Sequence, residues 1–123
     1  MEAKVRIEVT QEMVNKFAEI SGDMNPIHLD EEYAKNSKFG KKIAHGMLLG
    51  SFISQLIAKE CPGPGSIYLS QSLQFVYPVF VGETVTIVVK ENTRIKNKFF
   101  LYTDVFNESG EKVIIGSAEV VKM

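Results

Sequence analysis

Within residues 17–34, FAEISGDMNPIHLDEEYA, a carboxylate at Asp23 and an imidazole at His28 stand five positions apart. Residues that shape turns surround them. Gly22 tolerates positive φ, Asn25 can cap its own turn, and Pro26 fixes φ near roughly −65°. Such a stretch can hold Asp23 and His28 in one fixed relation, so that both reach a single water molecule. Two proton-handling groups on one water are the minimum apparatus for adding water to a substrate or removing it. The same residue types also serve as turn formers and solvated loop residues, so the pair has to be weighed with the elements that position it.

Those elements read clearly on either side. Residues 4–9 place Val5, Ile7 and Val9 on one face and Lys4, Arg6 and Glu8 on the other, the pattern of a half-buried strand. Thr10 is an N-cap for a helix carrying Met13, Val14, Phe17 and Ile20 on one side, and Ser21-Gly22 ends it. Asp23 is therefore delivered at a helix exit. Asp30 caps a second, short helix from Glu31 to about Asn36, with Tyr33 and Ala34 turned inward. Residues 36–42 form a basic turn. Residues 44–59 then predict a helix apolar on nearly every side, broken only by Ser51, Ser54 and Gln55, and hence enclosed by other structure.

After the turn PGPGS (62–66) the period changes to two. A long strand over 67–80 is bent or broken near Pro78. Val81-Gly82-Glu83 turns into a strand with Val85, Ile87 and Val89 on one face. A reversal at Asn97-Lys98 leads to a strand in which Phe99, Leu101, Thr103 and Val105 oppose Phe100, Tyr102, Asp104 and Phe106. Asn107-Glu108-Ser109-Gly110 is a hairpin turn, and a last strand over about 112–122 aligns Ile114, Gly116, Ala118 and Val120. The pattern reads as one α+β domain over 1–123, an antiparallel sheet curled around a single long helix.

Composition narrows the function classes. Fourteen Lys and Arg against 15 Asp and Glu leave a net charge of −1, with no basic stripe, so nucleic acid is not an expected partner. The single cysteine, Cys61, excludes an intramolecular disulfide framework and fits a reducing compartment. The N-terminal residues lack the apolar core of a signal peptide, and the apolar run 43–58 is too short to span a bilayer. A cytoplasmic protein without a membrane partner is the expectation. Neither a Gly-rich phosphate loop nor a GxSxG elbow is present, which leaves nucleotide cofactors and serine hydrolysis without a foothold.

Ser21-Gly22-Asp23, Asn25-Pro26-Ile27-His28 and the following Asp30-Glu31-Glu32-Tyr33-Ala34 resemble the signature of the (R)-specific enoyl-CoA hydratases, the MaoC-like proteins. Ile43-Ala44-His45-Gly46-Met47-Leu48 resembles the next block of that family. The similarity continues over Gly65-Ser66-Ile67-Tyr68-Leu69 and from Phe75 through Pro78-Val79 to Val81-Gly82-Glu83, in order along nearly the whole chain. It implies the hot-dog fold, about five antiparallel strands wrapped around one long buried helix, and a homodimer. It also implies a hydro-lyase interconverting a trans-2-enoyl-CoA and an (R)-3-hydroxyacyl-CoA, with coenzyme A entering as part of the substrate and no separate cofactor.

That reaction needs a base for water, an acid for C2, and a donor for charge on the thioester oxygen. Asp23 and His28 supply the first two, with base and acid left unassigned because coupled groups can exchange those labels. Gly46, in the first turn of the buried helix, is the candidate backbone donor. Asn25 and Ser54 are expected in support. Met47, Ile57 and Val120 are candidates for the acyl-pocket wall, and Lys38, Lys41 and Lys42 for contacts with coenzyme A phosphates. His28 and His45 lack the local spacing of a zinc site, and the resemblance implies no metal. Three rivals share these residues: a dehydratase of acyl-carrier-protein or other acyl thioesters, a hot-dog thioesterase, and a non-catalytic acyl-CoA-binding module.

Overall fold

The alternating stretches become strands that share one sheet. In a computed structural model describing residues 1–123, the order is β1 (Glu2–Glu8), α1 (Gln11–Ser21), α2 (Pro26–Leu29), α3 (Glu31–Lys35), α4 (Gly46–Lys59), β2 (Ser66–Phe75), β3 (Thr84–Ile95), β4 (Lys98–Phe106) and β5 (Lys112–Lys122). The five strands form one sheet in the order β1-β3-β4-β5-β2, every pairing antiparallel. The sheet curls around α4, the hot-dog arrangement.

Period-two patterning sets which side faces the helix. Val85, Ile87 and Val89 on β3 are fully buried, as are Leu101, Thr103 and Val105 on β4 and Ile114, Ala118 and Val120 on β5. Leu48, Leu49, Phe52, Ile53, Leu56 and Ile57 of α4 meet them in a cluster of 22 buried residues. Burying each such Leu or Ile side chain contributes about 1.5–3 kcal/mol, so the strand–helix contact is the main source of stability. Thr103 is the polar exception on that inner face; its Oγ1 accepts from Gln71 Nε2 at 2.8 Å, which satisfies a group that burial would otherwise penalise.

Several expectations need correction. Ile20 lies at the end of α1 and is 86% exposed; Val14 and Ala18 fill the inward face instead. Tyr33 is also exposed, and only Ala34 of α3 is buried. The central helix is not covered on every side within one chain: Met47, Ser51, Gln55 and Ala58 form an exposed stripe. β2 stops at Phe75, and an isolated bridge joins Ile43 to Phe80. The β3–β4 reversal uses Lys96 and Asn97, with Lys96 at φ 57°, one residue earlier than expected.

Candidate active site

A chain of short polar caps builds the segment that follows α1. Gly22 closes the helix at φ 79°, its N–H donating to Ala18 O at 2.9 Å. Ser21 Oγ then accepts from Asp23 N at 3.1 Å, and Asp23 Oδ1 from Asn25 N at 3.2 Å. Asn25 Oδ1 accepts from Ile27 N at 3.4 Å, which starts α2 with Pro26 in its first turn. Each side chain satisfies the amide two positions on, so the chain turns without a sheet or a long helix to brace it. Asn25 is therefore a helix cap, the ordering role expected of it.

The turn-forming residues predict a loop at His28, whereas it sits on the four-residue helix α2, which buries it together with Ile27. Ile43 N donates to Ile27 O at 3.2 Å, and Gln11 Nε2 to His28 O at 3.3 Å. His28 Nδ1 lies 2.7 Å from Ile43 O. A carbonyl only accepts, so Nδ1 carries the proton and Nε2 keeps its lone pair. Burial pushes the His28 pKa below the ordinary histidine value, with His45 acting in the same direction; the Ile43 carbonyl and Asp23 oppose it. His28 is consequently a neutral imidazole near neutral pH, and its unprotonated nitrogen can accept from water.

The residues 42–44 that follow pair with 79–81: Ala44 N donates to Val79 O at 2.8 Å and Val81 N to Lys42 O at 3.1 Å. This fixes His45 as the residue before α4. His45 is 2% exposed, its ring stacked on that of His28 with centroids 3.9 Å apart. The donor atoms of Asp23, His28 and His45 all lie within 4.8 Å of one another. The two imidazoles nonetheless suit one metal ion poorly. Ring lone pairs lie in the ring plane, and stacked rings only 29° apart in plane direct them side by side rather than to a common point.

Asp23 and His28 share a cavity of about 400 Å³ with Gly46, Met47, Leu49, Phe75 and Tyr77 among its walls. Gly46 is the first residue of α4, and its N–H has no partner in the helix or beyond it. A Cβ at Gly46 would stand 2.5 Å from Phe75 Cε1, so the backbone is approached there as closely as the missing side chain allows. Asp23, His28, Gly46 and Met47 all line this one cavity.

Other expected site residues do not. Ile57 and Val120 are buried in the core, Ile57 on the sheet-facing side of α4 and Val120 on the inner face of β5, and neither borders the cavity. Ser54 also lies outside its wall. Lys41 and Lys42 line a different groove, with Glu31 and Glu32 on the same walls. Lys38 Nζ stands 5.2 Å from the ring centroid of Phe39, a cavity residue, and Lys41 Nζ stands 4.9 Å from that of Phe80. Phe39 and Tyr77 escape the sequence analysis, which weighs His45 only as a metal ligand. For His45 the signal was available, since a histidine next to the glycine that begins a buried helix must itself be close to the site.

A five-stranded antiparallel sheet curled around one helix is the hot-dog fold, and one cavity in it is lined by a carboxylate, a neutral imidazole and the glycine whose amide has no partner. Residues 1–109 match the family model described as a MaoC like domain. The chain is 45% identical over 112 residues to the (R)-specific enoyl-CoA hydratase of Aeromonas caviae, covering 89% of this chain and 83% of that protein. It is 40% identical over 114 residues to the (R)-specific enoyl-CoA hydratase of Rhodospirillum rubrum, covering 92% and 79%. The solved (R)-hydratase from A. caviae involved in PHA biosynthesis superposes with a TM-score of 0.98 at 38% identity, over 100% of this chain and 95% of that one. The chain belongs to the MaoC-like family.

Proposed function

We propose that this chain is an (R)-specific enoyl-CoA hydratase, a hydro-lyase that reversibly adds water to trans-2-enoyl-CoA to give (R)-3-hydroxyacyl-CoA. The observation that carries the reading is the convergence of Asp23, neutral His28 and the unpaired Gly46 amide on one cavity. Asp23 Oδ and His28 Nε2 each accept from one water, whose oxygen bonds to C3. The pair takes one proton from that water, and one proton returns to C2. The atoms of a single water are thus added across the double bond. As C3 is attacked, electron density moves onto the thioester oxygen, where the Gly46 N–H donates. A preorganised donor at a helix N-terminus in a secluded site contributes about 3–4 kcal/mol to such a transition state.

Met47, Leu49, Phe75 and Tyr77 offer the acyl chain an apolar wall. Coenzyme A belongs to the substrate in this scheme, and no separate cofactor or metal takes part. Lys38, beside the cavity residue Phe39, is the best placed of the three lysines to meet coenzyme A phosphates. Lys41 and Lys42 share their groove with two carboxylates, which weaken its attraction for an anion. β2 is an edge strand, with Ile67, Leu69 and Phe75 each about half exposed, and α4 leaves Met47 exposed. Pairing two copies through this face would cover an open edge and an apolar patch, so the working assembly is a homodimer. No helix is long and apolar enough to cross a membrane.

The test is to mix the purified protein with crotonyl-CoA, following absorbance of the conjugated thioester and free thiol in parallel. Loss of absorbance without thiol release is the expected result. Thiol release would make the protein a thioesterase, and saturable binding without turnover a binding module. Turnover of the crotonyl thioester of acyl-carrier protein in preference to the coenzyme A ester would assign it to the dehydratases of that carrier.

A further inference from the structure

His45 belongs neither to the proton-handling pair nor to the cavity's apolar wall, yet it touches the backbone of one member and the ring of the other. Its Nε2 lies 3.0 Å from the backbone oxygen of Asp23. That oxygen can only accept, so the His45 proton sits on Nε2, the opposite tautomer to His28. Its face stacks on His28 at 3.9 Å, and Phe17 of α1 packs tilted on it at 4.9 Å. The backbone on the other side is fixed as well, because His45 O accepts from Leu48 N and Leu49 N as α4 begins. One buried ring therefore links the α1 exit, the short helix α2 and the start of α4, the three places that supply Asp23, His28 and Gly46.

An exposed Asp23 has little else to hold it. Its own polar contacts are the turn bonds with Ser21 and Asn25, both close in sequence. The hydrogen bond from His45 is the one that reaches it from another part of the chain, 22 positions away. Burying a histidine without using both nitrogens is costly, and His45 Nδ1 has no partner. An apolar side chain would fill the space without that cost. Retaining an imidazole here makes sense if the Nε2–H bond and the stacked face are both needed.

We infer that His45 is a positioning residue for hydration: its Nε2–H holds the Asp23 backbone, and its ring face sets the plane of His28. This rests on the hydratase reading and adds to it a residue that acts through Asp23 and His28. Catalytic groups displaced by about 1 Å lose on the order of 100-fold in rate. The effect of losing His45 therefore falls on kcat, with KM little changed, because the acyl wall and the coenzyme A contacts stay in place.

Three variants separate the two contacts. His45→Phe keeps a flat ring against His28 and removes the donor. His45→Gln keeps an N–H near the position of Nε2 and removes the aromatic face. His45→Ala removes both. With crotonyl-CoA, kcat is expected to fall about 100-fold in His45→Phe and further in His45→Ala, with KM within about threefold of wild type. His45→Gln is expected to recover part of the loss seen in His45→Ala. A folded His45→Phe with wild-type kcat would overturn the proposal and leave His45 a core residue.

Should the variants fail to fold, long-range ¹H–¹⁵N correlation spectra of the wild-type protein decide the matter. They are expected to show His45 as the Nε2–H tautomer and His28 as the Nδ1–H tautomer. The Nδ1–H tautomer at His45 would remove the bond to Asp23 and overturn the proposal. Wild-type protein that leaves crotonyl-CoA unchanged would instead sink the hydratase reading itself, a different failure.

Discussion

On β3, Val85, Ile87 and Val89 are buried, while Thr84, Thr86 and Val88 between them are partly open. Between Gly22 and Gly46 no such period exists: exposed Asp23, Met24 and Asn25 give way within three residues to buried Ile27 and His28. The strands are held by repetition, each inward side chain replaceable by another of similar volume. The crossing segment is held instead by individual side-chain bonds: Ser21 to Asp23, Asp23 to Asn25, His28 to Ile43 and His45 to Asp23. Stability and chemistry are thus divided between regions. A change in the sheet should cost folding and spare the rate per folded molecule, whereas a change in the segment should do the reverse.

The sharpest way to break that division is at the pair itself. Asp23→Asn should lower kcat on crotonyl-CoA by about 1,000-fold and leave the melting temperature unchanged, since Asp23 is exposed and an amide oxygen can still accept from Asn25 N. His28→Ala should lose a similar factor, but also some stability, because Ile43 O is left without its donor. Rates must therefore be expressed per folded molecule. Near-normal turnover in either variant would remove the pair from the reaction.

Next comes Gly46, where both regions meet. Gly46→Ala should cost roughly 100-fold in kcat/KM, because the added Cβ occupies the space in which a thioester must approach the amide. It also strikes the Phe75 ring, an exposed side chain able to swing away. Adding Phe75→Ala should not restore the rate. Full restoration would make Gly46 a clearance for the ring and nothing more.

Gly116 supplies the opposite case. A Cβ there would lie 2.6 Å from Ser72 O and 2.9 Å from Thr103 O, backbone atoms that cannot move aside. Gly116→Ala should lower unfolding free energy in denaturant titration by about 1–3 kcal/mol, with turnover per folded molecule unchanged. Lost turnover in a well-folded Gly116→Ala protein would mean that sheet and site are not separable.

The smallest effect is in pH. The unfolded chain protonates His28 near its ordinary value of about 6.5, and the folded chain only at lower pH. Protons then favour the unfolded state, so the contribution is intact above about 6.5, declines as pH falls toward the folded-state value, and levels off below it. Melting temperature should drop more for wild type than for His28→Ala across that window. Equal drops would mean that burial does not shift His28.

Alternation was readable wherever burial repeats, and β5 runs from Lys112 to Lys122 as its sequence predicts. The caps at Thr10, Gly22 and Asp30 were readable because capping is local chemistry. Ile20 and Tyr33 were not, because helical spacing gives a face but not how far the covering layer extends. The exposed stripe of α4 shows the same limit, since apolar residues around a helix do not say whether this chain or a second copy covers them. In the site, residue type and position single out Asp23 and His28, and the start of the apolar helix together with the family resemblance singles out Gly46. The position of His45 beside the helix-start glycine pointed to the site, but its bond to Asp23, 22 positions away, and the make-up of the cavity wall depend on long-range contacts that no local pattern encodes.

The central claim is that Asp23 and His28 address one water in front of the Gly46 amide, and a crystal structure showing ordered solvent tests it most directly. The account predicts a single water within about 3 Å of both an Asp23 carboxylate oxygen and His28 Nε2, on the cavity side that Gly46 lines. Finding Asp23 turned away from His28, or the two groups hydrated by separate waters with none between them, would contradict it.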